Sequence, residues 1–437
     1  MLYKMSKNRP VAIEKSVVYP TNSSGGIYSF KNGRPLVTFT ISGTQKNKVM
    51  DLHSLRLNCN FRIYQGGSTT DRPNNQDANG AGAYNSTIDS RIGCNSFIDT
   101  LRLRVLASGE TIEEVRNYGH KEACILPALT SFDSYKTWMS NRCNAFARDD
   151  SEELRMNMDN TVSMPLHSGL LSSQRILDVS SLGGLVIDLS LCPDVQVLFG
   201  TDADNGSYYQ LSDVTLTFDW IVMANATSPQ KNLMEYPAYQ SYYQVVMSGD
   251  DQQSLLLNLS SVRSVFATTI SSSWLNNYEQ NGFATPRLQK TTGTYGVVVN
   301  AKVKEYTHLR NGIKFNKQYS VDERQAIVDG CYLAHKNREY LSAFAPFRSI
   351  KSSLQTIQTQ AVSSYDTTDK DVPEEYYVGG IAVNYDTLYN GSGVPFKNAM
   401  YSLRITSELD ANPNSVFSFA LSNQAMAVRK GQVQPVF

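Results

Sequence analysis

The chain has 437 residues, 41% of them apolar and 18% charged, and its 40 Lys and Arg balance 40 Asp and Glu. That is enough apolar material to exclude wholesale disorder, and the neutral balance excludes the overall basic excess of a nonspecific DNA-binding domain. No run approaches the roughly 18 apolar residues of a membrane span, and the opening from Met1 to Pro10 has no apolar core of the kind a secretory signal needs.

Residues 1–34 read as an arm, because Pro10, Pro20 and the stretch from Ser23 to Gly26 interrupt any regular pattern. Lys4, Lys7, Arg9 and Lys15 give it a basic bias. Contact with nucleic acid or an anionic neighbour is the functional reading of that bias, and a solvated tail is the simpler one.

Period-two alternation then dominates, the pattern of strands apolar on one face. Val37, Phe39 and Ile41 alternate with polar residues, as do Leu55, Leu57, Cys59, Phe61 and Ile63. Leu101 to Val105, Ile187 to Leu191 and Val214 to Val222 repeat it. Residues 66–91, rich in Gly, Asn, Asp and Ser, predict a long loop. Thr111 and Glu114 form a Thr-x-x-Glu capping box and predict a helix start.

The pattern breaks after Val222 at the Pro229 region, which predicts a linker over 226–234. A second strand-rich set follows: Tyr295 to Val303, Ile381 to Tyr385, Leu403 with Ile405, and Phe417 to Leu421. A second capping box at Ser320 to Glu323 predicts a helix carrying Ile327, Cys331, Ala334 and Leu341 on one face. The expected fold is all-β, two jelly-roll β-sandwiches in tandem, each with an embedded short helix. The expected boundaries are an arm over 1–34, a first jelly roll over 35–225, a linker over 226–234, a second jelly roll over 235–428 and a tail over 429–437.

The six cysteines form no Cys-x-x-Cys and no Cys/His zinc spacing, so they read as buried thiols of a reducing compartment. No phosphate-binding loop, His-Glu-x-x-His or Gly-x-Ser-x-Gly is present, and the five histidines are scattered singly. Asp202 to Gly206 faintly resembles a calcium loop but lacks the twelfth-position Glu, and a turn is the simpler reading. Glu113 and Glu114 have the residue types of a paired-carboxylate site. A helix start is preferred for them, since carboxylates suit the positive end of the helix dipole. No catalytic residue, metal or cofactor is expected.

Phe30 to Gly43, Ser163 to Leu171 with Gly183 to Leu191, and Tyr209 to Met223 resemble segments of the double jelly-roll major capsid proteins of tailless icosahedral double-stranded DNA viruses. The likeness is greatest to the polinton-like virus, adintovirus and virophage group. It covers mainly residues 28–225, and the second half matches in length and strand content. The resemblance implies a non-enzymatic virion protein, made in the host cytoplasm or nucleus. It implies homotrimers of roughly six-sided outline that tile shell facets beside penton and minor capsid proteins. The arm would meet the genome or an internal membrane, and no small-molecule substrate is expected. Lys4, Lys7, Arg9, Tyr236, Tyr239, Tyr242 and Tyr243 are the candidate interface residues, because tyrosine is favoured at interfaces. Core packing is an equal reading of the four tyrosines. The alternatives are a minor capsid or spike protein and a β-sandwich that binds or cleaves glycans through Trp138, Trp220 and Trp274.

Overall fold

The computed structural model describes residues 10–22, 26–65, 72–73, 88–89, 92–129, 160–172, 176–199, 206–225, 232–278, 281–283, 287–291, 294–297, 303–314, 319–320, 376–377, 381–384, 393, 395–407, 413–429 and 432–436. In the first half the strands are β1 (Pro10–Val18), β2 (Leu36–Ile41), β3 (Lys48–Gln65), β4 (Arg72–Pro73) and β5 (Ile98–Val105). They continue with β6 (Thr111–Arg116), β7 (Asn160–Met164), β8 (Ile176–Leu177), β9 (Leu185–Leu191) and β10 (Tyr208–Met223). One helix of several turns, α1 (Tyr118–Leu129), follows β6.

The second half holds β11 (Asn232–Val246), β12 (Asp250–Leu255), β13 (Val262–Ser271), β14 (Arg287–Thr291), β15 (Thr294–Val297), β16 (Val303–Arg310) and β17 (Ile313–Lys314). After these come β18 (Tyr319–Ser320), β19 (Tyr376–Tyr377), β20 (Ile381–Asn384), β21 (Tyr401–Ser407), β22 (Asn414–Arg429) and β23 (Gln432–Val436).

The halves share one wiring. The first sheets run β1-β10-β3-β4, with β7 and β8 on β3, and β2-β9-β5-β6. The second pair runs β11-β22-β13-β20, with β23 on β22, and β12-β21-β16-β17, with β18 on β16. In each half the first strand pairs with the last long strand and the second strand with the long strand before it, all antiparallel. This nesting rolls a β-ribbon into a sandwich, the jelly-roll architecture. The two strand-rich halves expected from the sequence therefore repeat one another in their strand pairing.

The alternating residues fill the interior. Phe39, Ile63, Leu101, Leu103, Ile187 and Leu216 are each exposed by less than 1%. Each such side chain contributes about 1.5–3 kcal/mol through burial. Phe97, just ahead of β5, packs on the facing sheet, edge-on to Phe61 of β3 at 5.1 Å and stacked on Tyr209 of β10 at 4.5 Å. Cys59, Cys94, Cys124 and Cys192 are buried free thiols, while Cys143 and Cys331 lie outside the described residues.

Three expectations change. The helix predicted at Thr111 is strand β6, and the helix begins only at Tyr118. The capping-box spacing was met by chance: Thr111 to Arg116 pairs along β5, with Glu114 opposite Arg102, and cross-strand pairing overrides the local signal. Asn117, with a left-handed φ of 53°, then turns the chain into α1. The arm is also not wholly irregular, since Pro10–Val18 is strand β1, with Pro10 at its first residue where the missing N–H costs little. Tail residues Gln432–Val436 form β23 on β22. Of the second predicted helix, Ser320 closes β18 and the rest lies outside the described residues.

Candidate functional site

Among the described residues, the most elaborate polar assembly is the junction between the two sandwiches. It forms where β11, an edge strand of the second sandwich, lies against β6, an edge strand of the first. The Tyr236 hydroxyl donates to the Ile112 carbonyl at 3.0 Å, and the Arg116 amide donates to the Ser241 hydroxyl at 3.1 Å. Between them the Tyr239 amide donates to a Glu113 carboxylate oxygen at 2.8 Å. The same carboxylate accepts the amides of Gly169 at 2.8 Å and Leu170 at 3.0 Å. Burial pushes the Glu113 carboxyl above its ordinary value, and the three amides pull against that shift.

Helix α1 enters beside this carboxylate. Lys121 and Glu122 form an ion pair at 2.7 Å with both side chains fully buried. The Lys121 ammonium also donates to the His167 carbonyl and lies over the rings of Tyr118 and Tyr239, at 4.4 and 4.8 Å. Glu122 meets His167 Nδ1 at 2.8 Å through its other oxygen. Burial alone would raise the Glu122 pKa, but Lys121 and His167 outweigh it and hold the carboxyl at about 2. Sealed charges of this kind fix a geometry more than they add stability.

The third contact is aromatic. His120 stacks on Phe417 of the second sandwich at 3.8 Å and donates through Nε2 to the Gly282 carbonyl at 3.0 Å. Burial lowers its pKa to about 3, so the ring is neutral. Asn281 donates to Asp89 at 2.7 Å. Cys124 and Ile125 of α1 then sit in an apolar cluster with Phe266, Ile270, Phe417 and Phe419. Thus a helix that belongs to the first sandwich by sequence fills part of the core of the second. The main core likewise runs on from the first sandwich into Tyr236, Ala238, Phe283 and Met426.

The candidate residues fall in different places. Tyr236 is buried and Tyr239 half-buried, both facing the first sandwich of the same chain. Tyr242 packs against a small cluster around Leu255 and Tyr401. Tyr243 is exposed, with its ring 5.1 Å from Phe417. Lys4, Lys7 and Arg9, most of the loop 66–91, Asp202 to Asn205 and Trp138 lie outside the described residues. Glu113 and Glu114 do not act as a pair: Glu113 faces the junction, and Glu114 turns outward to Arg116 at 2.5 Å and Arg102 at 3.0 Å. Trp220 packs against the first core, edge-on to Phe218 at 5.0 Å, and Trp274 packs beside Phe266 and Phe417. Among the described residues no group of three or more His, Cys, Asp or Glu is placed to hold a metal ion.

Sequence reasoning missed Lys121, Glu122, His120 and His167 as a unit. The one available signal was a charged pair, Lys121-Glu122, directly ahead of the apolar run Ala123 to Leu129.

No protein-family model matches the chain, and no curated protein is similar to it in sequence. Solved structures are similar in fold. A chain of the PBCV-1 virus capsid is 11% identical, with 98% of this chain and 97% of that one aligned at a TM-score of 0.55. The Faustovirus major capsid protein is 9% identical over 96% and 91% of the two chains, with a TM-score of 0.56. A chain of the Sputnik virophage is 8% identical over 98% and 89%, with a TM-score of 0.51. The chain therefore has the double jelly-roll fold of these viral capsid proteins.

Proposed function

We propose that this chain is a major capsid protein of an icosahedral double-stranded DNA virus, a non-enzymatic building block whose product is the shell itself. The observation that carries the reading is the end-to-end alignment with a PBCV-1 capsid chain, which takes in both sandwiches and their connection, 98% of one chain and 97% of the other. Fold alone does not fix function. The buried junction adds support, because buried hydrogen bonds and a shared apolar core tie the two sandwiches together, as a tile requires.

In this reading the working unit is a homotrimer of roughly six-sided outline, two sandwiches from each copy, with neighbouring trimers, penton and minor capsid proteins as further partners. The units are the two sandwiches, expected over 35–225 and 235–428, whose sheets also take in β1 from the arm, the start of β11 at Asn232 and β23 from the tail. Lys4, Lys7 and Arg9 would face the genome or an internal membrane, and exposed Tyr243 would serve contacts between copies. The protein's place is the virion.

Size-exclusion light scattering on the purified chain tests this. A stable species of three 48.7 kDa copies, with shells visible by electron microscopy at higher concentration, is the expected result. A monomer that persists at all concentrations and never yields shells, alone or with virion partners, would remove the reading.

A further inference from the structure

Strand β5 is apolar on one side only. Leu101 and Leu103 enter the core, and Thr100, Arg102 and Arg104 stand on the opposite face. Cross-strand register carries that face over the whole sheet. Leu36, Ser190, Thr100 and Arg116 form one rung, and Thr38, Asp188, Arg102 and Glu114 form the next. Arg104 begins a third. Together they line a concave site of about 510 Å³ on the side of the sheet turned away from the core.

Three arginines and two carboxylates line this site. Asp188 Oδ2 accepts Arg104 Nε and Nη2, both at 2.6 Å, and its other oxygen accepts the Thr38 hydroxyl at 2.9 Å. That pair is closed. Glu114 is shared: one oxygen accepts Arg116 Nε at 2.5 Å and the other accepts Arg102 Nε at 3.0 Å. Burial would raise the Glu114 pKa, but the two arginines outweigh it and lower it, so the carboxylate stays ionised. Asp99 also lies within electrostatic reach of Arg116. The site therefore has little long-range field, and any selectivity lies in its directional donors. Among the described residues, the terminal Nη groups of Arg102 and Arg116 have no hydrogen-bond partner. The two side chains are 42% and 68% exposed. They are diagonal neighbours across β5 and β6, about 7–8 Å apart at the backbone. Exposed ion pairs are ordinary and stabilise little. Two guanidiniums clamped by Nε on one carboxylate, with both Nη forks unspent, are more than a pair.

We infer that Arg102, Glu114 and Arg116 form a binding site for a tetrahedral oxyanion, a sulfate or phosphate group, held between the two Nη forks while Glu114 fixes both arginines. A tetrahedral group presents oxygens in several directions and can meet two forks at once, whereas a carboxylate offers its oxygens in one plane. The fork geometry is particular to arginine, since a lysine presents only a point charge. Leu36 at the rim is 47% exposed and gives an apolar surface to whatever carries the group. The oxyanion arrives as a free ion or as an ester on a polysaccharide, and the exposure of Arg116 leaves room for either. This inference goes beyond the capsid reading and does not rest on it.

Calorimetric titration of the purified full chain at low ionic strength tests it, with sodium sulfate, sodium phosphate and a heparin-derived hexasaccharide as probes. The hexasaccharide should bind more tightly than either ion, which assigns the group to a polysaccharide. Binding no tighter than that of the ions assigns the free ion. Arg102→Gln and Arg116→Gln should each weaken binding by about tenfold or more. Arg116→Lys keeps the charge, loses the fork and should also weaken it. This variant carries the test if a glutamine variant melts early. Arg404→Gln removes a positive charge from an exposed pair with Asp250 on the second sandwich and should leave binding unchanged. No binding of any probe overturns the assignment, as does binding that survives in both glutamine variants. An equal loss in Arg404→Gln overturns it too, since net charge alone would then account for the attraction.

Discussion

The Glu113 carboxylate accepts the backbone amide of Tyr239 at 2.8 Å across the boundary between two β-sandwiches. A side chain on the last strand of one sheet thus binds the main chain of the next sandwich, 126 positions along. A carboxylate can hold three amides at once because it has two oxygens and about four lone-pair sites. A neutral side chain of the same length cannot.

Glu113→Ala leaves three buried amides without an acceptor. The expected loss is about 3–5 kcal/mol of stability, read from urea unfolding. Glu113→Gln keeps one oxygen and loses less. A loss under about 1 kcal/mol for the alanine variant would mean that water replaces the carboxylate and that the junction is looser than described.

Lys121 and Glu122 should behave as a coupled pair. Lys121→Met or Glu122→Gln alone strands a buried partner and costs about 3–5 kcal/mol, whereas the double replacement recovers much of it. A double-mutant cycle measures this, and additive losses would argue against direct coupling.

Acid should weaken the fold in two overlapping steps. Burial lowers the pKa of both His120 and His308 from 6.5 to about 3. A folded pKa below the unfolded one means that the unfolded chain takes up the proton first. Stability is therefore full above pH 6.5 and is lost as pH falls toward 3. Glu122, held at about 2 against an ordinary 4.5, loses its share between those values. Urea midpoints measured from pH 7.5 to 3.5 should fall steadily, and His120→Gln should flatten the upper part of the curve. A flat profile would contradict the neutral, sealed state of these rings.

Gly169 has no room for a methyl group. A Cβ there would lie 2.3 Å from the Pro237 carbonyl oxygen, a backbone atom on the facing sandwich. Gly169→Ala should cost about 1–3 kcal/mol and make the two sandwiches more susceptible to proteolysis between them. Gly119→Ala meets only the Phe283 ring, at 2.5 Å, and a side chain yields more easily than backbone, so its cost is smaller. Equal losses in the two variants would show that the Pro237 segment moves freely.

Much of the fold was already legible in the sequence. Leu55 to Ile63 and Val214 to Val222 alternate because one face of each strand meets the core and the other meets water, and they became β3 and β10. Val11, Ile13 and Val17 also alternate, but Pro10 and Pro20 obscured the strand they form. The junction was not legible. Thr111 to Arg116 satisfies a helix-capping spacing as well as it fits a strand, and only the pairing with β5 decides between them. Nothing local says that Lys121 and Glu122 are sealed.

The sequence by itself therefore determined the periodicity, the two-sandwich organisation and the apolar cores, because burial of one strand face is written in neighbouring residues. The tertiary structure alone decided which carboxylate holds Tyr239 and which charges are buried. Those depend on segments far apart in the chain, and their energies arise only when β11 arrives against β6 and excludes the water that a local sequence pattern always assumes.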